Sequence, residues 1–150
     1  MPIDFEALLR TFLAEAGENL TALEQNLLVL EREPQGPESR ERLDEVFRLV
    51  HTLKGDAGSL GFPVLARFAH ELEDHLERLR KSDERLSEAQ ATQLLKAVDI
   101  LRELLANAAA GQEIERPEHR ELLGALSTPG AQDAENLAKP RAAERAKGVV

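Results

Sequence analysis

This sequence predicts an all-α fold: an antiparallel four-helix bundle with a short fifth helix and a disordered C-terminal linker. Three observations carry the prediction. Leu, Ala, Glu and Arg, all good helix formers, dominate the 150 residues. Apolar residues recur at spacings of three and four, without the alternation of a half-buried strand. Pro and Gly gather in short stretches between the periodic segments, so successive helices turn back on one another.

The first helix opens at Asp4, an N-cap residue, with Ile3 and Leu8 placed to form a hydrophobic staple. Its stripe runs Phe5, Leu9, Phe12, Ala16, Leu20, Leu23, Leu27 and Leu30, and Pro34, Gly36 and Pro37 end it. The second spans about Glu38 to Leu60, with Leu43, Val46, Val50, Leu53 and Ala57 facing the core and Phe47 widening the stripe. Gly61 and Phe62 form a short connection to Pro63, a good first helical residue. The third helix presents Leu65, Phe68, Leu72, Leu76 and Leu79, and Lys81-Ser82-Asp83-Glu84 reads as a polar loop. Ser87 and Gln90 have the spacing of a capping box for a fourth helix, whose face is Leu94, Val98, Leu101, Leu105 and Ala108 and which ends near Gly111. Pro117 starts a fifth, carrying Leu122, Leu123 and Leu126. Residues 1–127 are thus expected to form one domain. Residues 128–150, nearly free of large apolar groups, read as a flexible linker toward a further domain, so the chain is expected to continue beyond Val150.

Composition excludes several classes. With no Cys, disulfides, thiolate metal sites and cysteine nucleophiles are ruled out, which suits a reducing cytoplasm. The N-terminus lacks the basic start and apolar run of a signal peptide, and charges interrupt every apolar run well short of a membrane span. A net charge of -9 without Trp or Tyr argues against nucleic acid as a partner. No apolar face is left over once the bundle is built, so the isolated domain is expected to be a monomer.

One stretch carries chemistry: His51-Thr52-Leu53-Lys54-Gly55-Asp56-Ala57-Gly58-Ser59-Leu60-Gly61-Phe62. Gly55 and Gly58 fall inside the second helix, one and two turns beyond His51, each at about 1 kcal/mol against Ala. Lys54 lies beside His51 on the same surface. An imidazole next to a cation, above backbone nearly bare of side chains, is open to a docking protein. Tight helix packing explains the glycines equally well at this level. On the third helix His70 and Glu73 are one turn apart, and antiparallel packing brings this pair beside His51. A carboxylate bonded to one ring nitrogen fixes the tautomer, exposes the other lone pair and stabilises charge that develops as the ring attacks phosphorus. Lys54 can offset charge on phosphoryl oxygens. The chain has no P-loop, Gly-rich ATP loop or acidic metal cluster, so it can carry phosphoryl but not draw it from ATP itself.

The motif His51-x-x-Lys54-Gly55 resembles the signature of histidine phosphotransfer (HPt) domains. The run from Val46 to Phe62 is similar to the N-terminal HPt domain of CheA-type chemotaxis histidine kinases. His70-x-Leu72-Glu73 falls where that family keeps its second histidine and orienting glutamate, and Phe12 to Leu20 resembles its first helix. The similarity covers residues 4 to about 110, weakens through the fifth helix and is absent from the tail. It implies His51 as phosphoacceptor, Glu73 as the group bonded to its other nitrogen, and Lys54 and His70 as electrostatic neighbours. It also implies a kinase domain that supplies phosphoryl in trans from ATP and Mg, and a receiver-domain aspartate that takes it. No cofactor is expected in the chain itself. Two departures stand out: Asp56 charges a normally neutral strip, and His75 occupies a stripe position where Leu is expected.

Plainer readings stand beside these. His51 and His70 also read as surface histidines, Glu73 as a partner in ordinary charge pairing, Lys54 as a solubilising charge, and His75 as a core or boundary residue. His119 lies in a charged segment with no evident partner. A non-catalytic adaptor bundle keeps the helices and drops the chemistry, and a standalone phosphorelay carrier keeps both without the larger kinase. A metal site from His51, His70, Glu73 and His75 is disfavoured, because the stripes show no other inward carboxylates.

Overall fold

The computed structural model describes residues 4–82 and 86–127, all of whose regular structure is helical: α1 (Phe5–Arg32), α2 (Ser39–Ser59), α3 (Pro63–Lys81), α4 (Glu88–Ala109) and α5 (Pro117–Ser127). The expected linker, 128–150, lies outside the described residues, as do Asp83 and Glu84 of the expected polar loop.

Local chemistry sets the helix ends. The Asp4 carboxylate accepts the Ala7 N–H at 3.1 Å and opens α1. Ile3 is outside the described residues and Leu8 is exposed, so the staple receives no support. Ser87 and Gln90 form the expected capping box, each side chain accepting the other's backbone N–H, at 3.0 and 2.9 Å. α2 ends in a Schellman motif: Gly61 takes a φ of 82°, Gly61 N–H donates to the Gly58 carbonyl and Phe62 N–H to that of Ala57. Gly111, at φ 73°, closes α4 the same way. Pro63 begins α3, whose Val64 and Leu65 N–H groups are capped by the Glu113 carboxylate from the α4–α5 connection, at 3.3 and 3.0 Å.

α1 packs against α2 and α4, α2 against α3, and α3 against α4, closing a four-helix ring with α5 laid over α3 and α4. Cross-helix bonds fix the antiparallel sense. Asn26 accepts from Arg42 across α1 and α2, Glu24 from Arg102 and Glu31 from Thr92 across α1 and α4, and Asp44 from Arg80 across α2 and α3. The predicted stripe of α2 is buried throughout, as is that of α1 from Phe12 onward. Phe5 is instead 49% exposed and Leu9 only half-buried. The reason is length: α1 has 28 residues against 21 in α2 and 22 in α4, so its first turns project past its neighbours. On α4, Leu104 is fully buried while Leu105, the predicted core residue, is half-buried, because α5 covers the side on which Leu104 lies.

Ion pairs at its edges hold α5 in place. Arg120 grips Glu71 through two hydrogen bonds, 2.9 and 2.6 Å, and Arg67 binds Glu115 at 3.0 Å. Leu122, Leu123 and Leu126 enter the core as expected. His119 corrects the sequence reading. It is buried, its ring packs edge-on to Phe68, and its Nδ1 accepts the Arg116 N–H at 3.1 Å. Among the described residues no helix is long and apolar enough to cross a membrane.

Candidate functional site

Antiparallel packing of α2 on α3 means that each turn climbed on one helix matches a turn descended on the other. That register brings His51 and Lys54 to Glu73. The Nδ1 of His51 is hydrogen-bonded to Glu73 Oε2, and Lys54 Nζ donates to Glu73 Oε1 at 2.6 Å. Exposure divides the group sharply: the His51 side chain is 61% exposed, Lys54 29% and Glu73 only 9%. The site is an imidazole standing in solvent on a carboxylate sunk into the bundle.

Burial is the largest single influence on the Glu73 carboxyl and disfavours its charge. The hydrogen bonds from Lys54 and His51, with the charges behind them, outweigh burial and hold it below the usual carboxylate range. An ionised Glu73 only accepts, so Nδ1 of His51 carries the proton and Nε2 keeps its lone pair. This arrangement can deliver a nitrogen nucleophile and stabilise the cation that forms when it reacts.

Lys54, which the sequence offers as a cation able to offset charge on phosphoryl oxygens, is bonded here to the buried carboxylate. His70 has its nearest charged partner in Asp74, 3.7 Å away on its own helix, with both side chains more than half exposed. Gly55 and Gly58 both face solvent, and a Cβ added at either meets nothing within 4 Å. Tight helix packing therefore does not explain them. Asp56 is half-buried next to that strip. His75 is in the core, 6% exposed, with neither ring nitrogen partnered, and burial pushes its pKa down to about 4. The four side chains weighed as a metal set do not converge, and among the described residues no group of three or more His, Asp or Glu is placed to hold a metal ion.

Sequence reasoning missed one part of the surroundings. The Phe47 ring stacks on the His51 imidazole, and the Arg80 guanidinium lies over Phe47. Phe47 is one turn before His51 and Arg80 two turns beyond Glu73, so the α2–α3 register contained the signal.

Known proteins align with this picture. The family model of the Hpt domain matches residues 7–111. The chemotaxis protein CheA of Treponema pallidum is 35% identical over 151 residues, covering 96% of this chain, and CheA of Klebsiella aerogenes is 40% identical over 105 residues, covering 70%. The chain spans only 18% and 16% of the length of those two relatives. Among solved structures, the phosphorylated P1 domain of CheA3 in complex with CheY6 from R. sphaeroides superposes with a TM-score of 0.72 at 27% identity, over 85% of this chain and 98% of that one. The solution structure of the histidine phosphotransfer domain of CheA gives 0.70 at 29% identity, over 84% and 93%. In sequence over residues 7–111, and in fold, this chain belongs to the Hpt domain family.

Proposed function

We propose that this chain is the phosphotransfer domain of a chemotaxis-type histidine kinase. In this reading His51 accepts phosphoryl from ATP bound with Mg on a separate kinase domain and passes it to a receiver-domain aspartate. The observation that carries the reading is the bond from the exposed His51 to the buried, ionised Glu73. The likeness to CheA proteins, and to a phosphorylated CheA domain bound to a CheY protein, supports it.

The Nε2 lone pair attacks the γ-phosphorus in line; an N–P bond forms as the bond to the ADP oxygen breaks. The Nδ1 proton stays on the ring and is shared with Glu73, which offsets the developing imidazolium charge. In the return step a receiver carboxylate attacks phosphorus, the N–P bond breaks and the ring leaves neutral. Lys54 serves this chemistry by keeping Glu73 ionised and in place. His70, one turn before Glu73 on α3, is a supporting neighbour of the site. Gly55 and Gly58 leave the backbone bare, so that a partner approaches His51 closely. In this reading the domain works in the cytoplasm, where ATP is at hand, as a monomeric module of a longer chain.

The test is transfer itself. The domain is mixed with a chemotaxis-type kinase catalytic fragment and labelled ATP, alongside His51→Gln. Acid-labile, alkali-stable label on wild type alone, chased off by a receiver domain, is expected. Equal label on both proteins would move the site elsewhere. No label on either, with the fold intact, would favour the adaptor bundle.

A further inference from the structure

The hydrogen bond to Glu73 anchors one atom of the His51 ring. It does not set the ring plane, because the second side-chain torsion of histidine is soft and nearly two-fold. A nucleophile that attacks in line needs its lone pair aimed as well as exposed. The structure supplies a second constraint. The rings of Phe47 and His51 lie 6.1 Å apart between centroids with their planes only 12° from parallel.

Phe47 is itself held. The Arg80 guanidinium carbon is 4.3 Å from the Phe47 ring centroid, within cation–π range. Arg80 is braced from two helices: its Nε donates to Asp44 Oδ1 on α2 at 2.9 Å, and a terminal nitrogen donates to Glu77 Oε1 on α3 at 3.1 Å. Its backbone carbonyl accepts from Arg40 at 2.6 Å. Asp44, Phe47 and His51 follow one another along one face of α2 at helical spacing. The side chains of Arg80, Asp44 and Glu77 are each about one-third exposed, at 33%, 35% and 36%, so this is a partly desolvated arrangement.

We propose that Phe47, clamped by Arg80, is a positioning residue that sets the plane of the His51 imidazole and so aims Nε2 at phosphorus. The proposal rests on His51 being the phosphoacceptor. Glu73 fixes which nitrogen is nucleophilic; Phe47 and Arg80 fix where it points. Ordinary packing predicts something different: truncating Phe47 then changes stability and leaves the reactivity of folded protein unchanged.

The test uses phosphoramidate, a small donor that needs no docking surface. Nε2 forms its bond to phosphorus as the donor P–N bond breaks and ammonia leaves. Wild type, Phe47→Leu, Phe47→Tyr and Arg80→Met are compared at a temperature where circular dichroism shows all four folded. Phe47→Leu is expected to react roughly tenfold more slowly, Arg80→Met to fall between it and wild type, and Phe47→Tyr to restore the rate. The ring ¹⁵N signals of His51, sharp in wild type, are expected to broaden in Phe47→Leu and sharpen again in Phe47→Tyr. Folded Phe47→Leu reacting at the wild-type rate would overturn the proposal while leaving the phosphoacceptor reading intact. No phosphorylation of wild type would overturn both.

Discussion

Replacing His75 with Leu is expected to make this domain more stable and less sensitive to acid. His75 is packed among the core residues of α3, with both ring nitrogens unpartnered and burial, reinforced by the nearby Arg78 charge, pushing its pKa to about 4. In the unfolded chain the ring titrates near its ordinary value, about 6.5. The folded value is therefore depressed, so the unfolded state binds more protons between these limits. The stability concerned is fully present above about pH 6.5, is lost as pH falls toward about 4, and is not lost further below that. The whole loss corresponds to about 3 kcal/mol, of which about 2 kcal/mol falls between pH 7 and pH 5. Glu73, Glu71 and Glu118, whose carboxyls lie below their ordinary value of 4.5, contribute stability that is present above that value and is lost as pH falls below it, so they enter only at the acid end of this window. Urea unfolding followed by circular dichroism at several pH values in this window measures the slope. His75→Leu, similar in volume and without polar atoms to strand, is expected to flatten that slope and to gain on the order of 1 kcal/mol at neutral pH. An unchanged slope in a folded His75→Leu protein would refute the account of a buried neutral imidazole.

Two further outcomes follow from the site. Glu73→Gln keeps the shape of the hydrogen bond but removes the charge, so phosphorylation of His51 by a kinase fragment is expected to fall roughly 10²-fold while the unfolding curve at neutral pH stays cooperative; a wild-type rate would remove Glu73 from the chemistry. Gly55→Ala places a methyl group in open space on a helix, so the domain is expected to gain about 1 kcal/mol of stability by urea unfolding while its affinity for a receiver domain drops in calorimetry; unchanged affinity would remove the bare strip from docking.

The helices were legible because their signals are local. The Ser87–Gln90 capping box, Pro63 and the stripe from Leu43 to Ala57 each act within a few residues, and each is in the structure as read. Boundaries of the core were less legible where they depend on a neighbour's length or on an added layer. Phe5 has the right phase but no opposing helix beyond it, and Leu104 gains its cover from α5. His119 looked unpartnered because Phe68 and Glu103 reach it only when α5 folds back onto α3 and α4, and its bond from the Arg116 N–H is a local cap at the start of α5 that was not anticipated. The pairing of His51 with Glu73 was foreseeable once antiparallel packing was granted, whereas the choice His70 makes for Asp74 depends on rotamers that spacing does not determine.

Lys54 shows how burial decides between two roles that spacing leaves open. A cation three residues from His51 can reach either the reacting group or the carboxylate beneath it. Glu73, 9% exposed in its side chain, has far more to gain from the charge than a phosphoryl group standing in water. The consequence reaches the nucleophile. Without Lys54, only the hydrogen bond and charge of His51 oppose the burial that disfavours an ionised Glu73, and a carboxyl that takes up a proton becomes a donor. A donor selects the opposite tautomer of His51: Nδ1 accepts, Nε2 carries the proton, and the outward lone pair is lost. Under the proposed function, Lys54 therefore acts on phosphoryl transfer through the charge of Glu73 and the tautomer that Glu73 imposes on His51.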